Sequence, residues 1–240
     1  MRATLRWLGL CVLALALLQV FFIGRIVLMA KVAPQSTAFQ RSQAWQIVRA
    51  KGHLPWSQEW VDYAQISDNL KRAVIASEDD GFVGHDGVDW DALEKAWAKN
   101  TKAEQRADQR GTSKPPKVVG GSTITQQLAK NLFLSGERTL FRKAQEFVLT
   151  MALELFLDKQ RILEIYLNNV EWGEGVFGAQ AAAQHYFRKP ASQLSAYEAA
   201  RLAVMLPRPK YFEKMPNSAY VSGRAGVIVA RMGDAQLPRR

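Results

Sequence analysis

The sequence predicts a mainly helical domain that follows a single N-terminal transmembrane helix, and three observations support this prediction. Residues 7–24 form an uncharged stretch rich in Leu, Val, Ala and Phe. From Thr123 onwards, apolar residues recur at the three- and four-residue spacing of a helix face. No stretch alternates apolar and polar residues beyond a few positions, so we expect little sheet.

The uncharged stretch is long enough to cross a bilayer. A helix of this length extends about 27 Å, close to the roughly 30 Å hydrocarbon core. A cleaved signal peptide is the alternative, but the stretch exceeds the usual apolar region of such peptides and no good cleavage site follows it. Arg2 and Arg6 before the stretch nearly balance Arg25 and Lys31 after it, so charge barely orients the helix. We predict an anchor over residues 1–30.

The remaining chain divides into a juxtamembrane segment, residues 31–60, and one domain, residues 61–240. The segment carries Phe39, Trp45, Trp56 and Trp60. These aromatic side chains suit either a membrane interface or the edge of the core, and both readings stay open. Helices are predicted at about 68–77, 91–110, 124–134, 139–157, 160–169, 175–186, 195–205 and 218–232.

The composition is that of a folded, basic protein. Apolar residues make up 48% and charged residues 22%, which argues against disorder. The net charge of +10 indicates an acidic partner such as nucleic acid, anionic lipid or a phosphate-bearing substrate. A single cysteine, Cys11, excludes an intramolecular disulfide and a cysteine zinc site. Three histidines without a close pair make a histidine metal site unexpected.

Two polar clusters stand where helices end or begin. Glu78 follows the apolar run 73–76, where burial would raise its pKa and make it a general base near neutral pH. Asp79 and Asp80 beside it have helix capping as an alternative role. Gly120 and the residues after it form a turn into a polar helix start, which suits an anion; the alternative is a solvated helix face.

Two further clusters lie on helices. Arg142 and Lys143 share a face with Glu146, and Arg138 precedes them. This group is either a surface ion pair or a phosphate clamp with a carboxylate beside it. In the fourth cluster, Glu164 and Asn168 are four residues apart, and a structural role is expected for that pair.

Taken together, five motifs resemble the peptidoglycan glycosyltransferase family, glycosyltransferase family 51, and within it the monofunctional transglycosylases. They occur in order between about residues 66 and 213. The motifs are Glu78-Asp79-x-x-Phe82-x-x-His85-x-Gly87, Gly121-Ser122-Thr123-Ile124-Thr125-Gln126-Gln127-Leu128-x-Lys130-Asn131, Arg142-Lys143-x-x-Glu146, Lys159-x-x-Ile162-Leu163-Glu164-x-Tyr166-Leu167-Asn168, and Ala199-Ala200-x-Leu202-Ala203 with Leu206-Pro207-x-Pro209.

The resemblance implies a lysozyme-like fold with two lobes and a cleft between them. It also implies polymerisation of lipid II into linear glycan strands at the outer face of the cytoplasmic membrane. The donor would be a glycan chain on undecaprenyl diphosphate, and the 4-hydroxyl of acceptor lipid II would attack with inversion. The amino terminus would be cytoplasmic and the domain periplasmic. Nucleic acid is not an expected partner, whereas cell-wall synthesis or division proteins remain open.

The resemblance also implies roles for individual residues. Glu78 and Glu146 would be catalytic, with Glu78 as the general base. No cofactor is implied with certainty, and a divalent cation, Mg or Mn, at Glu146 is an open alternative. Substrate-binding positions would be Ser122, Gln126, Gln127, Lys130, Arg138, Arg142, Lys143 and Asn168. Supporting positions would be Asp79, Phe82, His85, Glu164 and Tyr166.

Three other function classes are less compatible with the sequence. No S-x-x-K or K-T-G motif occurs, so peptide cross-linking is not expected. A lysozyme-like hydrolase would use a glutamate but would not need the cations around it. A non-enzymatic membrane-anchored binding protein would account for the charge but would not require carboxylates among the cations.

Overall fold

A computed structural model describes residues 2–109, 120–134 and 139–239 of the chain. Within these ranges the chain forms eleven α-helices. They are α1 Arg2–Met29, α2 Ala38–Lys51, α3 Asp68–Glu78, α4 Trp90–Gln109, α5 Ile124–Phe133, α6 Leu140–Phe156, α7 Lys159–Asn169, α8 Ala179–Phe187, α9 Ala196–Met205, α10 Pro209–Phe212 and α11 Ala219–Arg231.

The described residues also contain one small sheet. Its strands are β1 Ser57–Gln58, β2 Glu171–Gly173 and β3 Val176–Phe177. The central strand is β3, which pairs parallel to β1 and antiparallel to β2. The predicted class, mainly helical with one N-terminal apolar helix, is confirmed; the lysozyme-like arrangement of lobes stays a prediction.

Helix α2 was not predicted, and it lies in the juxtamembrane segment. Thr37 and Gln40 form a capping box at its start, and Gly52 ends it with φ +74°. Only Trp45 among the four aromatic residues of the segment is strongly exposed, at 68%. Trp56 stacks on buried Phe177 at 4.5 Å between ring centroids. Packing on the domain therefore accounts for three of the four aromatic side chains of this segment, which are half-buried.

The prediction of a helix over 175–186 is wrong at its start. The chain first forms β3, and α8 begins only at Ala179. Gly178 has φ +84°, and a Cβ there would lie 2.7 Å from the backbone oxygen of Asn168. Only glycine allows this approach, so the chain turns before the helix starts.

The helices pack in two groups. Helices α3, α9 and α11 contact one another, while α5 contacts α2, α6 and α7. The groups are joined where α3 ends, because Asp79 at the end of α3 accepts a hydrogen bond through Oδ2 from the amide of Ile124, at 2.9 Å. This bond places the end of α3 against the first turn of α5.

Helix α1 is long and apolar enough over Ala3–Met29 to cross a membrane. Its outer turns are exposed, but Ile26 is fully buried and Met29 is 4% exposed within the core. The backbone oxygen of Met29 also accepts a bond from Nε of Arg161, at 2.8 Å. The last turn of the predicted anchor is therefore part of the domain packing.

Candidate active site

Glu78 is the last residue of α3, and neutral groups hold its carboxylate. Nε2 of Gln127 on α5 donates to Oε2 at 3.0 Å, and the hydroxyl of Ser77 lies 3.5 Å from Oε1. Burial raises the pKa of Glu78, and this effect outweighs the lowering by the Gln127 bond and by the charge of Lys130. The predicted direction of the pKa shift is thus confirmed.

Tyr166 fixes the orientation of the Gln127 amide. Its hydroxyl donates to Oε1 of Gln127 at 3.0 Å, so Nε2 is the atom that faces Glu78. Tyr166 is 1% exposed, and burial raises its pKa well above the ordinary value, which keeps it a donor. Tyr166 therefore supports Glu78 through an intermediate side chain.

Asp79 and His85 form a second supporting pair. Nε2 of His85 lies 2.8 Å from Oδ1 of Asp79, while the amide of Gly87 donates to Nδ1 of His85 at 3.1 Å. Because Nδ1 accepts, Nε2 carries the proton that Asp79 accepts. The other oxygen of Asp79 holds the start of α5, so this carboxylate acts in capping and positioning.

Phe82 and Glu164, both predicted as supporting positions, make contacts inside the domain. Phe82 is fully buried, and Nζ of Lys159 lies 4.7 Å from its ring centroid. Glu164 accepts from the amide of Tyr63 at 2.9 Å and from Nη1 of Arg161 at 2.6 Å. The Lys159 contact ties α7 to the chain that follows α3, and the Tyr63 bond ties it to the chain that precedes α3.

Ten residues from α2, α5, α6 and adjacent positions line a cleft of about 310 Å³, which we call the cation cavity. Three lining side chains are cationic and one is a carboxylate, so the cavity carries net positive charge. The lining residues are Phe39, Ser122, Gln126, Gln127, Lys130, Asn131, Leu134, Arg142, Lys143 and Glu146.

Glu146 is buried in the wall of the cation cavity, with 3% of its surface exposed. Its Oε2 accepts from Nη1 of Arg142 at 2.9 Å, and its Oε1 pairs with Nζ of Lys143. Nε of Arg142 is buried without a hydrogen-bond partner among the described residues. The predicted sharing of one helix face by these three side chains is confirmed. The arrangement holds two cations ready for an anion.

Glu78 lies in a neighbouring cleft of about 190 Å³, which we call the carboxylate cavity. Ser122 lines both cavities. Gln127 lines the cation cavity and donates to Glu78 in the carboxylate cavity. A carboxylate with a raised pKa therefore adjoins a site for an anion, an arrangement suited to proton removal beside a departing phosphate. The lining residues are Ala76, Ser77, Glu78, Asp79, Asp80, Asp89, Ala92, Gly120, Gly121, Ser122, Thr123 and Arg231.

Two predicted substrate-binding residues are used elsewhere. Asn168 is fully buried, and its amide bonds to the backbone of Val61 and to the backbone oxygen of Glu164. Asn168 lines neither the cation cavity nor the carboxylate cavity beside Glu78, so its role in substrate binding stays a prediction. Gln126 lines the cation cavity, but its Oε1 accepts from the amide of Thr123 in a capping box. Arg138 lies outside the described residues.

The sequence did not indicate Phe39 as a site residue, but Phe39 lines the cation cavity from α2. Its ring lies 6.3 Å from that of Phe177 in an edge-to-face contact. No local pattern could have shown this, since it depends on the packing of α2 against α5.

The described residues do not fit a protein-bound metal ion. No group of three or more His, Cys, Asp or Glu side chains within the described ranges is arranged to hold one. Both oxygens of Glu146, the candidate ligand, already pair with cations. A dication there would displace Arg142 and Lys143 from Glu146.

Comparison with known proteins agrees with this geometry. A family model described as Transglycosylase matches residues 48–233, more than half of the chain. The chain belongs to this transglycosylase family. The matched range begins within α2 and ends just beyond α11, so it contains every residue of both cavities except Phe39. The resemblance indicated by the five motifs is confirmed.

Similar proteins extend over nearly the whole chain. A protein of Herminiimonas arsenicoxydans named biosynthetic peptidoglycan transglycosylase is 51% identical over 239 residues, which cover 99% of each chain. A protein of the same name from Burkholderia thailandensis is 51% identical over 241 residues, covering 99% of this chain and 90% of the relative. One from Burkholderia lata is 53% identical over 221 residues, covering 92% and 86%.

Proposed function

We propose that the chain is a peptidoglycan glycosyltransferase that polymerises lipid II into linear glycan strands. The observation that carries this proposal is the position of Glu78, a half-buried carboxylate with a raised pKa beside the cation cavity. The names of the relatives support the same substrate class.

In the proposed reaction Glu78 takes the proton of the acceptor 4-hydroxyl. The hydroxyl oxygen forms a bond to the donor anomeric carbon as the bond from that carbon to the diphosphate oxygen breaks. The electron pair of the broken bond stays on the diphosphate, and configuration inverts. Lys130, Arg142 and Lys143 stabilise the negative charge that develops there. Glu146 holds Arg142 and Lys143 in place and takes no proton.

The cations favour this reaction over hydrolysis of a glycan. Hydrolysis of a neutral glycosidic bond releases no anionic leaving group, so it would not use a cavity in which three cationic side chains face one carboxylate. We propose glycan polymerisation without peptide cross-linking, in agreement with the absence of S-x-x-K and K-T-G from the sequence.

The proposed location is the inner membrane, with α1 spanning it, the amino terminus cytoplasmic and the domain periplasmic. The buried last turn of α1 supports retention of the helix, because cleavage would remove Ile26 from the core. Leu140, Phe141 and Leu155 on α6 are 91%, 73% and 76% exposed, which suits contact with lipid. We also propose that the periplasmic domain contacts other proteins of cell-wall synthesis or cell division.

A divalent cation, if it takes part, is proposed to arrive on the substrate diphosphate, since Mg²⁺ usually keeps several waters and binds through phosphates. Chelation by EDTA should then lower the affinity for substrate without lowering the melting temperature of the free protein. A fall in melting temperature on chelation would instead indicate a resident ion.

Incubation of the purified full-length protein with lipid II, followed by electrophoresis of the products, tests the function. A ladder of glycan strands is the expected result. Release of free disaccharide without polymer would favour a hydrolase and overturn the proposal.

A further inference from the structure

We propose that the membrane helix α1 is a positioning element of the cation cavity, acting through a paired amide contact between Gln19 and Gln145. Each side chain donates to the other at 3.0 Å, so the two amides form a reciprocal pair between α1 and α6. Gln19 is the only amide side chain in the uncharged stretch 7–24. The inference rests on the proposed function, because it concerns the substrate site of that reaction.

The apolar surroundings of Gln19 mean that the amide pair fixes the orientation of α1 against α6. An amide without a partner is costly in hydrocarbon, where water cannot replace the lost bond. Apolar contacts between helices have little preference for one rotation over another, and lipid offers apolar side chains the same environment as a neighbouring helix. The amide pair therefore selects one rotation and one height of α1 against α6.

Other contacts of α1 extend this arrangement to α5 and α7. The rings of Phe22 and Phe133 meet edge to face at 5.3 Å, and the guanidinium of Arg25 lies 5.3 Å from the Phe133 ring centroid. The bond from Arg161 to the backbone oxygen of Met29 fixes the end of the helix against α7. Helix α1 thus touches α5 and α6, the two helices that carry the cations of the cavity.

The contacted residues are close in sequence to the cavity lining. Gln145 immediately precedes Glu146 and follows Arg142 by three positions, so a shift of α6 at Gln145 moves both. Phe133 follows Lys130 by three positions on α5. Loss of the amide pair should therefore disturb the diphosphate site more than it disturbs Glu78, which lies on α3.

The test uses the full-length protein in detergent or lipid and the variants Gln19→Leu, Gln145→Leu and the double variant. Measured quantities are the affinity for undecaprenyl diphosphate, KM and kcat with lipid II, and the melting temperature. Each single variant should weaken affinity and raise KM about 3- to 10-fold, with a smaller change in kcat. Leu17→Ala, at a position of α1 that is 60% exposed, is the matched control and should behave like the unchanged protein.

The double variant separates positioning from stability. It removes both amides, so the melting temperature should recover towards that of the unchanged protein. KM should stay raised and the affinity should stay weak, because two leucines do not select one rotation of α1 against α6. Exchange of Gln19 and Val20 keeps the composition of α1 but turns the amide away, and it should resemble Gln19→Leu.

Three results would overturn the inference. Both single variants could bind undecaprenyl diphosphate as tightly as the unchanged protein, or the double variant could recover its KM together with its melting temperature. The third result is an unchanged KM after the exchange of Gln19 and Val20. If a single variant fails to fold, the double variant and the exchange decide. Failure of the unchanged protein to polymerise lipid II would overturn the proposed function alone. The diphosphate affinities would still test the role of the amide pair.

Discussion

Glu78 and Glu146 are both carboxylates beside a cavity, the first half-buried and the second buried, yet their partners differ in charge. Glu78 accepts from a neutral amide, and burial raises its pKa. Glu146 pairs with a guanidinium and an ammonium group. The comparison suggests two tasks for one side-chain type: proton removal where the partner is neutral, and positioning of cations where the partners are charged.

The largest expected effect is on turnover, in Glu78→Gln. The variant keeps the shape of the side chain and its acceptor for Gln127 but cannot take a proton, and loss of a general base costs about 10²- to 10⁴-fold. Binding of a diphospholipid analogue should be almost unchanged. Polymerisation of lipid II and analogue binding measured side by side check both expectations.

Glu171→Gln is the matched control for this variant. Burial raises the pKa of Glu171 to about 7, and its side chain lines neither cavity. The same change of charge and shape should therefore leave turnover within about threefold, as expected for a site away from the chemistry. An equal loss of turnover in Glu78→Gln and Glu171→Gln would show that Glu78 is not the general base.

A smaller effect, on binding as well as turnover, is expected from Arg142→Ala or Lys143→Ala. A diphosphate loses a charged partner worth about 1.5–3 kcal/mol, or roughly 10- to 150-fold in affinity. Titration with a diphospholipid analogue gives this value directly. Loss of turnover with ordinary analogue binding would contradict the division of tasks between the two carboxylates.

A still smaller effect is expected from Tyr166→Phe. Gln127 loses the hydroxyl that orients it, at a cost of about 0.5–1.5 kcal/mol, so kcat should fall a few-fold while KM is kept. Because the Gln127 bond lowers the pKa of Glu78, its weakening should move the acid limb of the pH profile to higher pH. A pH profile unchanged in position would show that Gln127 stays in place without Tyr166.

The smallest effect concerns stability. The folded-state pKa of Glu78 is raised, so the folded protein binds more protons than the unfolded chain between the ordinary pKa of 4.5 and the raised pKa. Stability is therefore lost as pH rises through that window. Glu78→Gln should melt above the unchanged protein at neutral pH, and the difference should vanish below pH 4.5. A lower melting temperature at neutral pH would mean that the ionised carboxylate is net stabilising.

Several features could be predicted from local sequence. The uncharged stretch marks α1, since crossing a bilayer requires a long apolar run. The helix face shared by Arg142, Lys143 and Glu146 follows from spacing along one helix. The raised pKa of Glu78 follows from its place after a buried apolar run. Each of these depends on neighbours within a few positions, which is why sequence determined them.

Other features were decided by contacts between distant segments. Asn168 has the residue type of a binding side chain, but packing of the chain near Val61 buries it and satisfies its amide. The place of Phe39 in the cation cavity depends on the packing of α2 on α5. The pairing of Gln19 with Gln145 joins residues 126 positions apart. A local sequence pattern does not show contacts between residues this far apart in the chain. Only the tertiary structure therefore decides the partners of these side chains.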